Sequence, residues 1–273
     1  TGNHHSATDF GIDGLALQAH YCSELGLRAM LAPAQTPGLE FQADIFYLLA
    51  RIGETLNNIA KFIALGKGDD VDIFRGIGKR KGSSAMPHKD AKGGNPTTEE
   101  QVMSIRNYLV GNLTTAMMNC EFPYARNLAA SANSRINLED SFKLLDFGIR
   151  NLAKVVYELQ YNEIRCKQRI HRTYGIVVSS RIVNYLTDRR HVTEPLSRTA
   201  AHDLVGDLAR EAYEQRVDFY TLLIKNSLIA TRIPTDVLYK LATTVDYVGE
   251  SKRIIDLVAQ KCYQKMTVLD SDV

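Results

Sequence analysis

The stretch that decides the fold is residues 41–63, FQADIFYLLARIGETLNNIAKFI. Its apolar residues recur at steps of four or three, the spacing that puts side chains along one face of a helix. The residues of this stripe are Phe41, Ile45, Leu48, Ile52, Leu56, Ile59 and Ile63. The pattern predicts one long amphipathic helix.

Two further stripes with the same spacing follow it. One comprises Val102, Ile105, Leu109, Leu113, Ala116 and Cys120, and the other comprises Leu138, Phe142, Leu145, Ile149, Leu152, Val156 and Leu159. The last stripe alternates steps of four and three, which is typical of a helix in a bundle. Outside the stripes no segment has the sustained alternation of a half-buried strand, and only the short run at residues 175–178 is ambiguous.

The protein is therefore predicted to be all-α, a long-helix bundle with a smaller C-terminal helical domain. After Leu159 the helical pieces become shorter, and they are separated by Gly175, Pro195 and Pro234. We place the domain boundary near residue 160, which divides the chain into a central bundle over 1–160 and a C-terminal domain over 161–273. The seven prolines all lie outside the three stripes, as helical stripes require.

Composition excludes several classes of protein. A net charge of +2 argues against a protein that coats DNA or an anionic membrane. The longest uncharged stretch, residues 107–120, is 14 residues, which is short of a bilayer span. The four cysteines have no metal-ligand or redox spacing, and the first residues carry neither Met nor a signal peptide. These features predict a cytoplasmic protein with no membrane segment, no nucleic-acid partner and a trimmed N-terminus.

The segment between the first two stripes is predicted to be a binding loop. Seven of the 18 glycines fall within residues 66–94. Residues 75–92, RGIGKRKGSSAMPHKDAK, contain six Lys or Arg and one Asp, a local charge of +5. That charge favours an anionic ligand, yet the glycines match neither GxGxxG nor a Walker A sequence. A solvated basic loop is the alternative explanation.

Residues 82–89, GSSAMPHK, followed by Asn95-Pro96, resemble the signature of the fumarase/aspartase lyase superfamily, in the form found in adenylosuccinate lyases. Three other pieces match in the same order along the chain: Gln35-Thr36, residues 126–136 and residues 246–249. The resemblance covers nearly the whole chain, as the second half or so of a family member. Two histidine-bearing motifs that family members carry further upstream do not occur in this chain.

The resemblance implies a β-elimination that releases fumarate from a succinylated amine. It makes Ser83 the base that removes the proton, while Lys89 neutralises the substrate carboxylate and Asn95 donates hydrogen bonds to it. The family usually runs Lys-Arg-Asn-Pro, whereas five residues separate Lys89 from Asn95 here, an insertion of four. The resemblance also assigns substrate-binding roles to Gln35, Ser84 and Met86.

Ser131 and Arg135 are a candidate phosphate site. They are four residues apart, so at the start of a helix they would share one face and offer a hydroxyl and a guanidinium to an anion. By resemblance this is where adenylosuccinate lyases hold the nucleotide phosphate, with Arg126 just upstream. A helix-capping serine beside a solvent-facing arginine is the alternative.

The resemblance further implies a homotetramer whose sites combine residues of several subunits, an anionic nucleotide substrate, and AMP and fumarate as products of purine biosynthesis. No metal and no cofactor are predicted. Argininosuccinate lyase and carboxymuconate cycloisomerase activities remain alternatives, although neither substrate carries a phosphate. A non-catalytic helical assembly protein derived from a lyase is the alternative from a different class.

Overall fold

The computed structural model describes residues 3–30, 36–76, 94–121, 128–245 and 247–271, with side chains described up to residue 266. The helices are α1 (His5–Asp9), α2 (Gly14–Glu24), α3 (Glu40–Lys67), α4 (Thr97–Met118), α5 (Leu128–Tyr157), α6 (Glu163–His171), α7 (Ser179–Thr187), α8 (Arg198–Gln215), α9 (Phe219–Lys225), α10 (Ser227–Ala230), α11 (Thr235–Ala242) and α12 (Ser251–Ser271). The prediction of an all-α protein is confirmed. None of the described helices is long and apolar enough to cross a membrane.

The chain divides into two compact units, residues 1–162 and 163–273. The first contains the long helices α3, α4 and α5, and the second contains the shorter helices α6 to α12. Each unit has a buried apolar core of its own. The three apolar stripes lie on the three long helices except for their last residues Cys120, just beyond α4, and Leu159, in the short strand after α5, so the prediction of these helices is confirmed.

Small residues bring α3 and α4 close together. Ala43, Ala50, Gly53 and Ala60 are all buried on one side of α3. A Cβ atom added at Gly53 would lie 2.7 Å from Leu109 Cδ1, so a larger residue there would force the Leu109 side chain to move. Leu109 is itself only 1% exposed, at the centre of the packed bundle.

The predicted stripe of α3 is only partly buried within the chain: Ile45, Ile52 and Leu56 are half-buried against the bundle core. Phe41, Leu48 and Ile59 are 52%, 55% and 41% exposed, and only Ile63 of the stripe is fully buried. The fully buried side of α3 carries Phe46 and Leu49 together with the small residues, and the small side chains let the helix backbones approach closely. Phe41, Leu48 and Ile59 therefore remain available for packing against something else.

The stripe of α5 is divided in the same way. Leu145 and Leu152 are buried, whereas Phe142, Ile149 and Val156 are 51%, 42% and 50% exposed. Residues seven apart thus face the bundle of this chain, and the alternate residues face outward. In a three-helix bundle, apolar side chains seven residues apart along one helix are about enough to pack against the two neighbouring helices.

Two strands of three residues each, β1 (Phe74–Gly76) and β2 (Leu159–Tyr161), form an antiparallel pair. The sequence predicted no strand, because three residues are too few to show the alternation on which such a prediction depends. Phe74 is 4% exposed and packs on Gly66, where an added Cβ would lie 2.1 Å from the phenyl ring. The ambiguous run before α7 forms a short 3₁₀ turn, Ile176–Val178.

The core of the second unit is built from the inward faces of α7, α8, α9, α10 and α11. Its fully buried side chains include Ile182, Leu186, Phe219, Leu223, Ile229 and Leu238. Three helices begin at side-chain caps: Ser197 caps α8, Asp218 caps α9 and Asn226 caps α10. Such caps satisfy backbone N–H groups that have no partner within the helix.

Candidate active site

Ser131 and Arg135 lie in the first two turns of α5, on one face. Ser131 Oγ donates to the carbonyl oxygen of Leu128 at 3.4 Å. Arg135 is exposed, and no described residue forms a hydrogen bond or ion pair with its guanidinium. Because the N-terminal end of a helix carries partial positive charge, the guanidinium and the helix end both favour an anion here.

A buried amide network fixes the start of α5 against the end of α4. Asn119 Nδ2 donates to Asn133 Oδ1 at 2.6 Å and to Ser134 Oγ at 3.2 Å, and Asn133 Nδ2 donates to Asn119 Oδ1 at 3.0 Å. Asn119 and Ser134 are 7% and 5% exposed. Buried polar groups paired in this way hold one register, which sets the positions of Ser131 and Arg135 on either side of them.

Asn95 lies at the opposite end of the bundle. It is exposed just before α4, and its carbonyl oxygen accepts a hydrogen bond from Thr97 N at 2.8 Å. The helix α4 then runs 22 residues to Met118, beside Asn119 and the start of α5. At 1.5 Å per residue, Asn95 and Arg135 of one chain are about 30 Å apart along the bundle. The structure therefore does not bring these two predicted site residues together.

A buried ion pair joins the two helices that flank residues 68–96. Lys67 Nζ, in the last residue of α3, lies 2.5 Å from Glu99 Oε1 in the first turn of α4. The two side chains are 14% and 2% exposed. The pair therefore fixes the two ends of the segment that carries the signature residues.

We expect Glu99→Ala to lower the free energy of unfolding by about 3 to 5 kcal/mol, because Lys67 would be left as a buried charge without its partner. Urea unfolding followed by circular dichroism measures the change. The matched control is Glu139→Ala, since Glu139 forms an exposed pair with Lys143 at 2.5 Å and its loss should leave stability nearly unchanged. Equal stabilities for the two variants would contradict this role of Glu99.

Curated relatives with similar sequences are adenylosuccinate lyases. The Staphylococcus saprophyticus enzyme is 32% identical over 228 residues, which are 82% of this chain and 49% of that protein. The Bacillus subtilis enzyme is 29% identical over 247 residues, 90% of this chain and 54% of that protein. The chain thus spans about half the length of these relatives. No protein-family model matches the sequence.

Two solved structures have a similar fold. The 3-carboxy-cis,cis-muconate lactonizing enzyme from Pseudomonas putida matches with a TM-score of 0.77 at 19% identity, over 97% of this chain and 57% of that one. A fumarate lyase from Mesorhizobium sp. BNC1 matches with a TM-score of 0.73 at 17% identity, over 90% of this chain and 52% of that one. The chain belongs to the fumarase/aspartase lyase superfamily.

The superfamily signature itself lies outside the described residues. The predicted site residues in undescribed parts of the chain are Gln35, Ser83, Ser84, Met86, Lys89 and Arg126. Their roles remain predictions. Among the described residues, no group of three or more His, Cys, Asp or Glu side chains is placed to hold a metal ion.

Sequence reasoning missed the contacts that hold the described candidate residues in place. Lys67 and Glu99 are 32 residues apart, and Asn119 and Asn133 are 14 apart, so no local spacing links either pair. A weak signal was available, because Glu99 and Asn112 are polar residues on a helix whose other buried residues are mostly apolar. Such residues are buried only when they have polar partners.

Proposed function

We propose that this protein is the adenylosuccinate lyase-like part of an enzyme that releases fumarate from a succinylated purine nucleotide. The observation that carries the proposal is the exposed Arg135 guanidinium, which has no partner among the described residues and shares the start of α5 with Ser131. The names of the curated relatives support the same substrate. A substrate without a phosphate would leave this arginine unused.

In the proposed reaction Ser83 removes a proton from the carbon beside a carboxylate of the substrate. The proton stays on the Ser83 oxygen, and the electron pair of the C–H bond moves into the carboxylate. That pair then returns to form the C=C bond of fumarate as the C–N bond breaks, and the leaving amine nitrogen takes one proton from solvent. Negative charge builds on the carboxylate in the transition state, so cations and N–H donors that face it stabilise that state most. Lys89 and the other basic residues of the segment 75–92 supply such cations.

We also propose that one active site combines residues from different copies of the chain, in a homotetramer. Asn95 and Arg135 of one chain are about 30 Å apart along the bundle, a distance that exceeds the length of a single nucleotide substrate. A second copy running antiparallel would place its Arg135 beside the first copy's Asn95. The exposed apolar residues on α3 and α5 supply a surface for such packing: Phe41, Leu48, Ile59, Phe142, Ile149 and Val156.

We expect Arg135→Ala to weaken AMP binding by about 10- to 100-fold, because a charge-assisted contact between arginine and phosphate is lost. Fumarate binding should change little, since fumarate has no phosphate. Isothermal titration calorimetry with each product measures both dissociation constants.

The matched control is Arg150→Ala, because Arg150 lies on the same helix and is paired with Asp146 at 2.8 Å. It should bind AMP as the unchanged chain does. AMP binding that is insensitive to Arg135→Ala would contradict the phosphate site. Binding of argininosuccinate or a carboxymuconate in place of AMP would assign the chain to another branch of the superfamily, and binding of none of them would favour a non-catalytic protein.

A further inference from the structure

The second unit contains a cleft that none of the proposed chemistry uses. It has a volume of about 490 Å³ and is lined by Arg172, Tyr174, Tyr213, Glu214 and Arg216. Pockets for small molecules are typically about 300 to 1,000 Å³. The cleft forms where the turn after α6 meets the end of α8, within residues 163–273, whereas Ser131 and Arg135 belong to the first unit.

The backbone at this cleft adopts an unfavourable conformation at two positions. Tyr174 has φ 53° and Arg216 has φ 56°, and they are two of only four non-glycine residues with positive φ in the described parts of the chain. Arg216 is the C-cap of α8, and at a left-handed position next to a helix end glycine is the usual residue. The chain therefore carries a long cationic side chain where glycine would be sterically easier.

The two turns are also tied to each other. Phe219 N donates to the carbonyl oxygen of Tyr174 at 2.8 Å, and the Phe219 side chain is 1% exposed in the core. Val217 N in turn donates to the carbonyl oxygen of Ala212 at 3.0 Å. The wall of the cleft is thus anchored in the core, so its side chains project from a fixed backbone.

Both arginines of the cleft lack a partner within the described residues. No hydrogen-bond acceptor or carboxylate there lies within bonding distance of the Arg172 or the Arg216 guanidinium. Other arginines of the same unit are paired, for example Arg210 with Asp207 at 3.3 Å. A guanidinium offers several N–H donors in a planar fork that matches the oxygens of a phosphate. Two such groups at one cleft favour an anion.

The remaining cleft residues indicate what accompanies the anion. The rings of Tyr174 and Tyr213 pack edge to face with centroids 6.4 Å apart, and Tyr213 is 62% exposed, which leaves a ring face for stacking. Glu214 can accept hydrogen bonds from ligand N–H or O–H groups. The negative charge of Glu214 and the partial negative charge at the C-terminal ends of α6 and α8 reduce the positive potential of the cleft. The cleft therefore favours a ligand with one or two negative charges over a polyphosphate.

We propose that this cleft is a second ligand site, which binds a small phosphomonoester that carries an aromatic ring, namely a nucleoside monophosphate. Arg172 and Arg216 hold the phosphate, Tyr213 stacks on the ring, and Glu214 accepts hydrogen bonds from the base or the ribose. The cleft shares no residue with the proposed lyase site.

The test is calorimetric titration of AMP into a chain that carries Arg135→Ala, so that binding at the proposed lyase site is weakened and the cleft is observed. Adding Arg216→Gly should weaken the remaining AMP binding by about 10- to 100-fold. The same substitution should leave the thermal unfolding midpoint unchanged or raise it, because glycine relieves the left-handed backbone. Arg172→Ala should weaken AMP binding by a similar factor, and Tyr213→Ala by about 5- to 100-fold.

Arg210→Ala is the matched control, since it removes a paired arginine from the same helix and should not change AMP binding. Absence of AMP binding to the Arg135→Ala chain, or binding unchanged by Arg216→Gly, would overturn the proposal. If inorganic phosphate binds as tightly as AMP, the proposed stacking of the ring on Tyr213 is wrong. If adenosine binds as tightly as AMP, the proposed binding of the phosphate by Arg172 and Arg216 is wrong. Arg135 and Arg216 are substituted separately as well, so failure of one site is distinguishable from failure of the other.

Discussion

Replacing Ser83 with alanine should lower kcat for fumarate release by about 1,000-fold or more, and should leave substrate affinity nearly unchanged. The reason is that a base acts only when the proton moves, so its loss affects the transition state and not the bound substrate. The release of fumarate from adenylosuccinate, followed by absorbance, gives kcat and KM. A Ser83→Ala enzyme with kcat within tenfold of the unchanged enzyme would contradict the assignment of the base.

Two other substitutions make this result specific. Lys89→Met should damage both kcat and KM, because its charge faces the carboxylate in the bound substrate and in the transition state alike. Ser104→Ala is the control, because Ser104 is an exposed serine on α4, outside the signature segment. It should leave both constants unchanged.

The second large effect is recovery of activity when two inactive variants are combined. Chains with Ser83→Ala and chains with Arg135→Ala should each be impaired alone at low substrate concentration. If each site takes its signature segment from one chain and its α5 residues from another, random assembly of equal amounts leaves about a quarter of the sites intact. Co-expression of differently tagged chains, purification by both tags and measurement of kcat/KM test this.

A doubly substituted chain, Ser83→Ala with Arg135→Ala, co-expressed with the unchanged chain is the control for this recovery. No gain of activity in the mixed Ser83→Ala and Arg135→Ala assembly would contradict a site shared between chains. That outcome would require one chain to bring the two ends of its bundle together, against the spacing that α4 sets between Asn95 and Asn119.

The sequence by itself was sufficient to predict the long helices. Apolar residues at steps of three and four indicated α3, α4 and α5, although not their exact ends, because helical periodicity is a local property of the chain. The string at residues 82–89 was likewise sufficient to indicate the superfamily, since so uneven a composition is rarely repeated by chance. Both inferences depend on residues that are close together along the chain.

The choice between two apolar faces was decided by the tertiary structure alone. On α3 the small residues around Gly53 are buried and Leu48 is left exposed, and on α5 Leu145 is buried while Phe142 is not. A periodic pattern states that a face is apolar, but not which neighbour covers it. Which face is buried depends on how closely the backbones of α3 and α4 approach, and the contact of Gly53 with Leu109 sets that distance here.

The sequence predicts part of the candidate site, and the tertiary structure decides the rest. Its residue types and the spacing of Ser131 and Arg135 follow from the sequence, because four residues make about one helical turn. The separation of Asn95 from Arg135, the pair of Lys67 with Glu99 and the meeting of Arg172 with Arg216 arise only from tertiary structure. The ion pair and the cleft join residues 32 and 44 positions apart, and such contacts depend on how helices pack and where turns reverse the chain, which no local pattern specifies.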